Sequence, residues 1–417
     1  MMRYLNYHKH TYYSNLRTLD SITSPEDYMK RAIELGHKEY FTGEHGFQGN
    51  IFEAQTLCEK YSLKPIYSVE AYYVDNAADK SDRANYHIML VAMTKKGRFE
   101  INKLMSKANS EGYYYKPRID LQGLLQLSPE DVIVTTACVA GRLFKGDREG
   151  WYDGFLVPVM QHFGKSLYLE VQNHNDEKQI TYNKGIMKLH EKLNIPIIHA
   201  NDSHYIYPQD AQNRSLFLRA KGMIYPDEEG FILDYPDTDV IIDRYKSQGV
   251  LTQEQVVEAL NNTLIFDNAE AIYTDKEFKI PKVPNEFIYE ELGNKKLTND
   301  NSDAVLQEII KRAWKKKEKT VKKEKIPEYK NAIYYETDIV KRCGMADYFI
   351  LDHMVVNRAI NKYNAVLTRS GRGSAVSFLI NNLLGLTEVD RIKAPTKLYP
   401  TRFMSAERIL ASRSLPD

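Results

Sequence analysis

Two short motifs in this sequence carry pairs of side chains that can bind a metal ion. His8 and His10 end a short apolar-leaning run, and Asp202 and His204 follow the apolar run 195–198. In an extended segment, residues two apart point to the same side, so each pair presents both of its side chains together. Neutral imidazole nitrogens and carboxylate oxygens are suitable ligands for transition-metal ions. The spacing therefore predicts one metal centre, provided that the intervening chain folds to bring the two pairs together.

Strand and helix patterns alternate between these motifs. Strands are predicted at 38–42, 65–69, 86–93, 131–135, 166–171 and 195–200, with helices at 25–35, 50–62, 96–110 and 176–193. Such alternation is typical of an α/β fold in which helices cover a parallel sheet. About seven strand–helix units in the first 205 positions favour a closed barrel over an open sheet.

The ends of the predicted strands carry further ligand-type residues. In barrels of this kind, reactive groups collect at the C-terminal ends of the strands. His45, Glu70 and Cys138 lie at such ends, whereas His87 begins its strand and has no comparable explanation. A single carboxylate or thiol at a strand end is more often packed or capped than ligating, so the hypothesis depends on several units delivering ligands to one rim. Four further histidines are interpreted as structural: His162, His174, His190 and His199.

Composition limits the class of protein. The chain has 417 residues, 43% hydrophobic and 27% charged, as expected for a globular protein of two or three domains. The net charge is +1, so any binding of nucleic acid must come from local patches. No signal peptide or apolar run of about 20 residues is found, which predicts no membrane association. Three cysteines without metal or redox spacing favour a cytoplasmic location.

The pattern changes after residue 210. The stretch 222–237 is a loop or a lid, with either reading open, and the segment 279–284 is an extended linker that places a domain boundary near 275–285. Beyond it, lysines and arginines concentrate at 311–323. These side chains form either a solvated helix face or a surface that contacts phosphates of nucleic acid.

A glycine-rich turn follows at Arg369-Ser370-Gly371-Arg372-Gly373-Ser374-Ala375, before an apolar helix predicted at 376–384. Glycines allow the backbone to approach an anion, and the amides of a helix N-terminus point at it. Arg372 and the Ser374 hydroxyl add donors for phosphate. A strand–turn–helix arrangement at this place would bind phosphate, although it lacks the Gly-Lys-Ser/Thr of a P-loop.

The order of these motifs resembles that of a known family. In the first half they are Tyr7-His8-Lys9-His10-Thr11, Asp20, Gly43-Glu44-His45-Gly46, Val69-Glu70, Cys138, Tyr168-Leu169-Glu170 and Ala200-Asn201-Asp202-Ser203-His204-Tyr205. In the second half they are Met345-Ala346-Asp347-Tyr348-Phe349, the glycine-rich turn, Arg402-Phe403-Met404, Glu407-Arg408 and Leu415-Pro416-Asp417. The first set resembles the PHP (polymerase and histidinol phosphatase) domain, and the second is similar to the palm of C-family DNA polymerases, the bacterial replicases. The resemblance covers essentially the whole chain.

The resemblance implies a fold and an activity. The fold would be a distorted (β/α)7 barrel, the PHP domain at 1–280, followed by a truncated α+β palm at 281–417. The PHP domain would be a metal-dependent 3′–5′ exonuclease or phosphoesterase with two or three zinc or manganese ions. The implied ligands are His8, His10, Asp20, His45, Glu70, His87, Cys138, Asp202 and His204.

The resemblance also assigns roles in the palm. Arg372, Gly373 and Ser374 would bind the triphosphate of the incoming nucleotide, and Asp417 would be the first carboxylate to hold magnesium at the polymerase site. Because the sequence ends at Asp417, the palm is expected to be incomplete and unable to polymerise alone. The implied partners are primer-template DNA, deoxynucleoside triphosphates, a complementary C-terminal polymerase chain and a sliding clamp.

Two departures from the family pattern stand out. Glu44 replaces the aspartate of the usual Thr-Asp-His-Gly, and Arg369-Ser370 replaces the usual Gly-Pro before the glycine-rich turn. All nine implied ligands are present, which favours an active centre. Two alternatives remain open at this point: a free-standing PHP phosphatase that acts on small phosphoesters, and a non-catalytic replication scaffold.

Overall fold

The computed structural model describes residues 2–144, 150–225, 230–275, 279–368 and 373–412, with the side chain of the last residue excepted. The chain divides into two compact units, Met1–Thr274 and Asp275–Asp417. This division lies at the edge of the range 275–285 in which the linker composition predicts a boundary. No helix in the described ranges is long and apolar enough to cross a membrane.

The first unit is built around a six-stranded sheet. The strands of the sheet are β3 Ser68–Tyr73, β4 Tyr86–Ala92, β5 Arg118–Ile119, β6 Val132–Thr135, β7 Leu167–Gln172 and β8 Ile197–Ala200. Two further strands, β1 Glu39–Phe41 and β2 Lys64–Ile66, form a separate parallel pair. The order is β5-β3-β4-β6-β7-β8, and its pairs are parallel except that β4 runs antiparallel to β3 and β6. The expected α/β class is confirmed, but the expectation of uniformly parallel strands is wrong at β4. The segment 74–85 contains no helix, so β3 and β4 lack the crossover that parallel strands need.

Single bridges extend this sheet toward a barrel. Lys9 pairs in parallel with Ser203 after β8, and His45 pairs in parallel with Glu70 in β3. The N-terminal segment and the segment after β1 are thereby joined to opposite ends of the strand series. The described strands thus form a six-stranded sheet that isolated bridges extend on both sides, in the direction of the distorted barrel that the resemblance implies.

The strands are buried on both faces. Successive residues of β4 belong to different apolar clusters: Ile88 and Leu90 pack with the helices, whereas Met89 and Val91 face the interior. Because the register places Glu70 beside Met89, the period of two sends that carboxylate into the interior as well. The fold therefore buries acidic groups where apolar residues would be expected.

Helices cover the outer face: α1 Pro25–Glu34, α2 Ile51–Tyr61, α3 Lys95–Ser110, α4 Leu121–Leu124, α5 Val157–Phe163, α6 Glu177–Leu193, α7 Asp210–Ala220, α8 Thr238–Gln248 and α9 Gln253–Asn262. The predicted start of α1 is confirmed, with Ser24 as N-cap and Pro25 as the first helical residue. Thr252 and Gln255 form a capping box at α9. The described residues of 222–237 form neither helix nor strand.

One lysine of the first unit is buried. Lys9 is 2% exposed, and its ammonium lies 3.9 Å from the centre of the Tyr40 ring and 5.1 Å from that of Tyr28. Burial lowers the pKa of Lys9 to about 8. The cation is held by ring faces, so its charge is stabilised less than it would be in water.

The second unit is helical: α10 Asn285–Leu292, α11 Ser302–Lys317, α12 Ile326–Arg342, α13 Ala346–Tyr363, α14 Leu379–Leu383 and α15 Ala406–Ser412. No strand occurs in its described residues, so the expected α+β palm and the strand before the glycine-rich turn are not found there. Val366, in that expected strand, is 91% exposed. A strand at this place would have no described neighbour to satisfy its backbone groups.

The helix predicted at 376–384 is also shorter than expected. A 3-10 turn spans Ala375–Ser377, and α14 begins only at Leu379. Phe378 is extended between them, which places its buried ring against Phe349 and Phe403. Core packing of this aromatic ring therefore interrupts the helix.

A buried ion pair joins α12 to the segment after α14. Glu336 is fully buried, and its Oε1 lies 2.6 Å from Nη2 of Arg391. Its Oε2 accepts a hydrogen bond of 2.9 Å from the Ile380 amide. Each partner of this pair compensates a charge that would otherwise be costly to bury.

Candidate metal centre

The interior end of the barrel brings all nine predicted ligands together. His8 and His10 come from the N-terminal segment, and the bridge from Lys9 to Ser203 sets that segment beside Asp202 and His204. The backbone at Asp202 has φ of +51°, in the left-handed region that non-glycine residues seldom adopt. The chain thus bends sharply after β8 to present this carboxylate.

Glu70 is the central carboxylate of the cluster. Its Oε1 lies 3.1 Å from Nε2 of His8 and 2.8 Å from Nδ1 of His87. Its Oε2 lies 2.5 Å from Nδ1 of His45 and 3.4 Å from Nε2 of His10. Glu70 is the third residue of β3, so its predicted position at a strand end is wrong. It reaches the site because the pleat turns it inward.

Asp202 is the second carboxylate on which imidazoles converge. Its Oδ1 lies 3.3 Å from the Nε2 atoms of His8, His10 and His204. One carboxylate oxygen therefore faces three imidazoles from two segments that are far apart in sequence. This convergence is the arrangement that the two His/Asp motifs predict.

Asp20 links the other side of the cluster. Its Oδ2 lies 2.7 Å from Nε2 of His45, and its Oδ1 lies 2.8 Å from Nδ1 of His204. Arg214 also bonds the Asp20 carboxylate and its backbone oxygen. The resemblance implied Asp20 as a ligand, and its contacts place it in the cluster.

His87 and Cys138 lie at the outer edge. The Nδ1 atom of His87 is 3.7 Å from Sγ of Cys138 and 2.8 Å from Glu70. The His87 amide donates to the Ala140 oxygen, which fixes the start of β4 beside the Cys138 loop. This pairing is the local reason, which the sequence did not reveal, why a histidine at the beginning of a strand joins the site.

The donor atoms fit metal ions. Five buried atoms of the cluster form no hydrogen bond of acceptable geometry, although some lie as close as 2.5 Å to another polar atom of the cluster: Nε2 of His10, Nδ1 of His45, Oε2 of Glu70, Oδ1 of Asp202 and Nδ1 of His204. Buried polar atoms without partners are rare in folded proteins and costly. Three overlapping groups in the described residues could each hold an ion: His8, His10, Asp202; His10, His45, Glu70; and Glu70, His87, Cys138. Imidazole, carboxylate and thiol donors suit transition-metal ions.

The electrostatics favour cations at this place. Burial opposes their charge, but the surrounding imidazoles hold the pKa values of Glu70 and Asp202 well below those of free carboxyls. Burial, together with His45, lowers the pKa of His10 to about 3, so this ring is neutral near neutral pH. Burial, Asp202 and Glu70 raise the pKa of the Cys138 thiol well above its usual value. Cys138 is therefore a thiol unless a bound cation displaces its proton.

A further carboxylate orients the first histidine. Glu170 is fully buried in β7, and its Oε1 lies 2.9 Å from Nδ1 of His8. Its Oε2 accepts hydrogen bonds from Tyr7 (2.7 Å) and Thr135 (2.9 Å). Sequence reasoning placed Glu170 in a family motif but gave it no role. An acid at an inward position of an otherwise apolar strand, Leu-Tyr-Leu-Glu-Val, was the available signal.

Glu44 stands where the family usually has aspartate. It lies beside the cluster and is not one of the residues whose donor atoms are grouped there. It is fully buried and accepts hydrogen bonds from Thr11, Ser14 and Asn50. Burial raises its pKa, with Lys9 opposing. The hydroxyl of Ser14 in turn lies 3.0 Å from Nδ1 of His10.

A cavity of about 580 Å³ opens onto the cluster. Its floor includes Asp20, His45 and Asp202, and its walls carry the side chains of Lys116 and Lys178. Aromatic and apolar residues complete it: Tyr72, Val139, Phe144, Tyr225, Phe231 and Leu233. Lysine side chains in the wall, together with metal-ligand types of side chain in the floor, suit the binding of a phosphate ester.

The four histidines that the sequence analysis interprets as structural occupy packed positions. His162 bonds the Leu127 oxygen, and His190 bonds the Ile195 oxygen. His199 bonds the hydroxyl of Tyr245. His174 is buried and stacked on Phe231, with ring centres 4.6 Å apart. These contacts agree with the structural interpretation.

Some predicted palm residues fall outside the described ranges: Arg369 to Arg372, and Asp417. Gly373 has φ of +78°, and the oxygen of Ser374 accepts a hydrogen bond of 2.9 Å from the Ser377 amide. The Ser374 hydroxyl caps no helix, since α14 starts five residues later. The helix predicted to begin at 376 is therefore not observed there, whereas the phosphate site itself includes residues outside the described ranges and stays a prediction.

A basic cleft of about 830 Å³ lies in the second unit, between the end of α11 and the loop after α14. Its cations are Arg312, Lys315, Lys316, Lys317 and Lys319. Lys317 pairs with Asp390 at 2.8 Å. Lys315 and Lys316 are exposed, and no carboxylate within the described part of the chain forms an ion pair with them.

Comparison with known proteins agrees with the resemblance that the motifs indicate. The PHP domain family matches residues 6–174, and the bacterial DNA polymerase III alpha NTPase domain matches residues 307–417. The DNA polymerase III alpha subunits of Aquifex aeolicus, Campylobacter jejuni and Borreliella burgdorferi are 28%, 26% and 26% identical over 99%, 100% and 100% of this chain. The matches take in 36%, 36% and 35% of those subunits, so the chain spans about a third of each.

Similarity to solved structures is weaker. An amidohydrolase from Chromobacterium violaceum matches 48% of this chain and 87% of its own, at 12% identity and a TM-score of 0.32. A likeness at this level carries no weight for fold or function.

Proposed function

Because this chain is a relative of bacterial DNA polymerase III alpha subunits and carries a PHP domain, we propose that its first unit hydrolyses phosphodiester bonds at the 3′ ends of DNA. The single observation that carries this proposal is the convergence of nine ligand-type side chains beneath one open cavity. A scaffold that had lost its chemistry would have no need to bury unpartnered donor atoms together.

The residues would hold two or three ions in overlapping sets. Glu70 and Asp202 would help to hold the ions, since each faces imidazoles from several segments. Cys138 would bind as a thiolate, its proton being released to solvent when a cation binds. Zinc or manganese suits this donor set better than magnesium, which prefers oxygen ligands. When bound, such ions activate a water molecule and bind the oxygens of the scissile phosphate.

The remaining side chains would bind and orient the substrate. Lys116 and Lys178 in the cavity wall would neutralise the phosphate charges on either side of the scissile bond. Glu170 would keep the Nε2 atom of His8 turned toward Glu70 and Asp202 by accepting the Nδ1 proton. The apolar wall would exclude bulk water from the floor of the cavity.

We further propose that the second unit binds primer-template DNA and deoxynucleoside triphosphates as part of a polymerase palm. The basic cleft supports contact with phosphates of the DNA backbone. Gly373 and Ser374 are proposed to contact the triphosphate, together with Arg372, and Asp417 to hold magnesium. Primer extension that appears only when a complementary C-terminal chain is added would support this role, and a sliding clamp would be a further partner.

We also propose a cytoplasmic location, because Cys58, Cys138 and Cys343 are free thiols. Burial raises the pKa of Cys58 to about 12, so it is an inert packed thiol. A reducing compartment would also keep Cys138 available as a ligand.

The test is an exonuclease assay on primer-template DNA labelled near its 3′ end. The manganese-loaded chain should release 3′-terminal nucleotides, and both His8→Ala and Asp202→Ala should abolish the release. Equal degradation by wild type and variants would contradict the proposal. Release of phosphate from small monoesters, without nuclease activity, would favour the phosphatase alternative.

A further inference from the structure

A chain of hydrogen bonds connects Glu44 to the metal cluster. Oε2 of Glu44 lies 2.5 Å from Oγ of Ser14, and that Oγ lies 3.0 Å from Nδ1 of His10. We propose that Glu44 is a positioning residue which fixes the tautomer and ring orientation of His10 through Ser14. This inference rests on the proposed metal centre and assigns a role to the one acid that departs from the family pattern.

The donors around Glu44 determine the direction of the bonds. The amide of Thr11 and Nδ2 of Asn50 are obligate donors, and they bond different oxygens of the carboxylate, at 3.1 and 2.6 Å. An ionised carboxylate only accepts, so the Ser14 hydroxyl must donate its proton to Glu44. Because this proton points at Glu44, the Ser14 hydroxyl cannot donate it to His10.

Ser14 consequently acts as an acceptor for its other neighbours. Its oxygen has two lone pairs, and it accepts the amide of His45 at 3.2 Å. The second lone pair faces Nδ1 of His10, which must therefore carry the ring proton. A neutral imidazole has one N–H, so the Nε2 atom of His10 presents a lone pair.

That lone pair points at the cluster. Nε2 of His10 lies 3.3 Å from Asp202 and 3.4 Å from Glu70, and it forms no hydrogen bond with either carboxylate. Glu44 and Ser14 thus prepare His10 as a ligand before any ion arrives. Glu170 does the same for His8 by direct contact, whereas His10 depends on the intervening hydroxyl.

The test combines two substitutions with a matched control. Ser14→Ala removes the link while Glu44 keeps its other donors. Glu44→Gln places an amide NH₂ against one of the obligate donors or against Ser14. Asn50→Ala is the control, because it removes a donor to Glu44 and leaves the link to His10 intact.

Two readouts follow each variant. The first is the ¹⁵N signal of His10 in the metal-stripped protein, which distinguishes the Nδ1–H from the Nε2–H tautomer. The second is manganese or zinc affinity by competition with a chelator. We expect the wild type and Asn50→Ala to show the Nδ1–H tautomer. Ser14→Ala should lose it and bind metal about 10- to 100-fold more weakly, and Glu44→Gln should lose it to the extent that its NH₂ faces Ser14.

The inference is overturned if Ser14→Ala keeps the Nδ1–H tautomer and wild-type metal affinity. Should Glu44→Gln fail to fold, Ser14→Ala alone decides the matter, since it deletes a single hydroxyl. A wild type that binds no metal but shows the Nδ1–H tautomer, with Ser14→Ala losing it, would contradict the proposed metal centre and leave the positioning of His10 established.

Discussion

Replacing Glu170 tests whether a buried carboxylate sets the first histidine for metal binding. Its two oxygens accept four hydrogen bonds, from His8, Gln172, Tyr7 and Thr135. The hydroxyls of Tyr7 and Thr135 are 3.5 Å apart and can bond each other when the carboxylate is removed. The donors on His8 and Gln172 have no such substitute, so Glu170→Ala leaves two of them unpaired.

The magnitude follows from that count. Each buried donor without a partner costs about 1–3 kcal/mol, so Glu170→Ala should lower the free energy of unfolding of the metal-free protein by about 2–6 kcal/mol. Metal affinity should fall about 10- to 100-fold, because the ring of His8 loses the group that fixes its tautomer. Urea unfolding and chelator competition measure the two effects separately.

Glu170→Gln is the matched control. Its amide oxygen can still accept from His8, and its NH₂ can donate to the hydroxyls of Tyr7 and Thr135. Stability should therefore fall by less than about 1 kcal/mol, while affinity falls about tenfold because the bond to His8 is no longer charge-assisted. If both variants bind metal as tightly as the wild type, Glu170 does not orient His8 and the reasoning is refuted.

Three further predictions concern other parts of the molecule. Lys9→Met should raise the free energy of unfolding near neutral pH, because it removes a buried charge. This gain in stability should shrink above about pH 8, because the folded wild type then releases the lysine proton while its unfolded state keeps it. A gain that is constant with pH in urea unfolding would contradict this. Arg391→Ala should lower stability by about 3–5 kcal/mol by leaving Glu336 buried without its cation, and the double variant E336L/R391M should recover much of it; an unchanged midpoint would show that the pair is dispensable. Replacing both Lys315 and Lys316 by glutamine should reduce the slope of log affinity for duplex DNA against log salt by about 2, as measured by fluorescence anisotropy, and an unchanged slope would show that they contact no phosphate.

Spacing and strand pattern predict much of the side-chain cluster in the first unit, whereas Asp20 was assigned only through the family resemblance. His8 and His10 share a side through the period of two, and Asp202 and His204 follow a buried strand. Glu70 reaches the same interior from the middle of β3. The strand pattern therefore predicted that Glu70 joins the cluster, but its predicted position at the end of a strand was wrong. His87 depends on a backbone bond to Ala140, a long-range contact with no local signature.

The second unit was harder to predict because its local signals compete with core packing. The apolar run after Ser374 reads as one helix, but Phe378 leaves the helix to fill the core beside Phe349. The predicted strand near Val366 has the right residue types and no described strand to pair with. Positions that accept hydrogen bonds from several donors, such as Glu44 and Glu170, depend on tertiary contacts that spacing alone does not reveal.

The central claim is that the clustered imidazoles and carboxylates hold metal ions jointly, and the number of tightly bound ions tests it most directly. Manganese or zinc should be counted by elemental analysis after dialysis of the wild-type chain and of Asp202→Asn, which keeps the size of the side chain and removes its charge. We predict two or three ions for the wild type and a lower number for the variant. No bound ion in the wild type, or the same number in both proteins, would contradict the account.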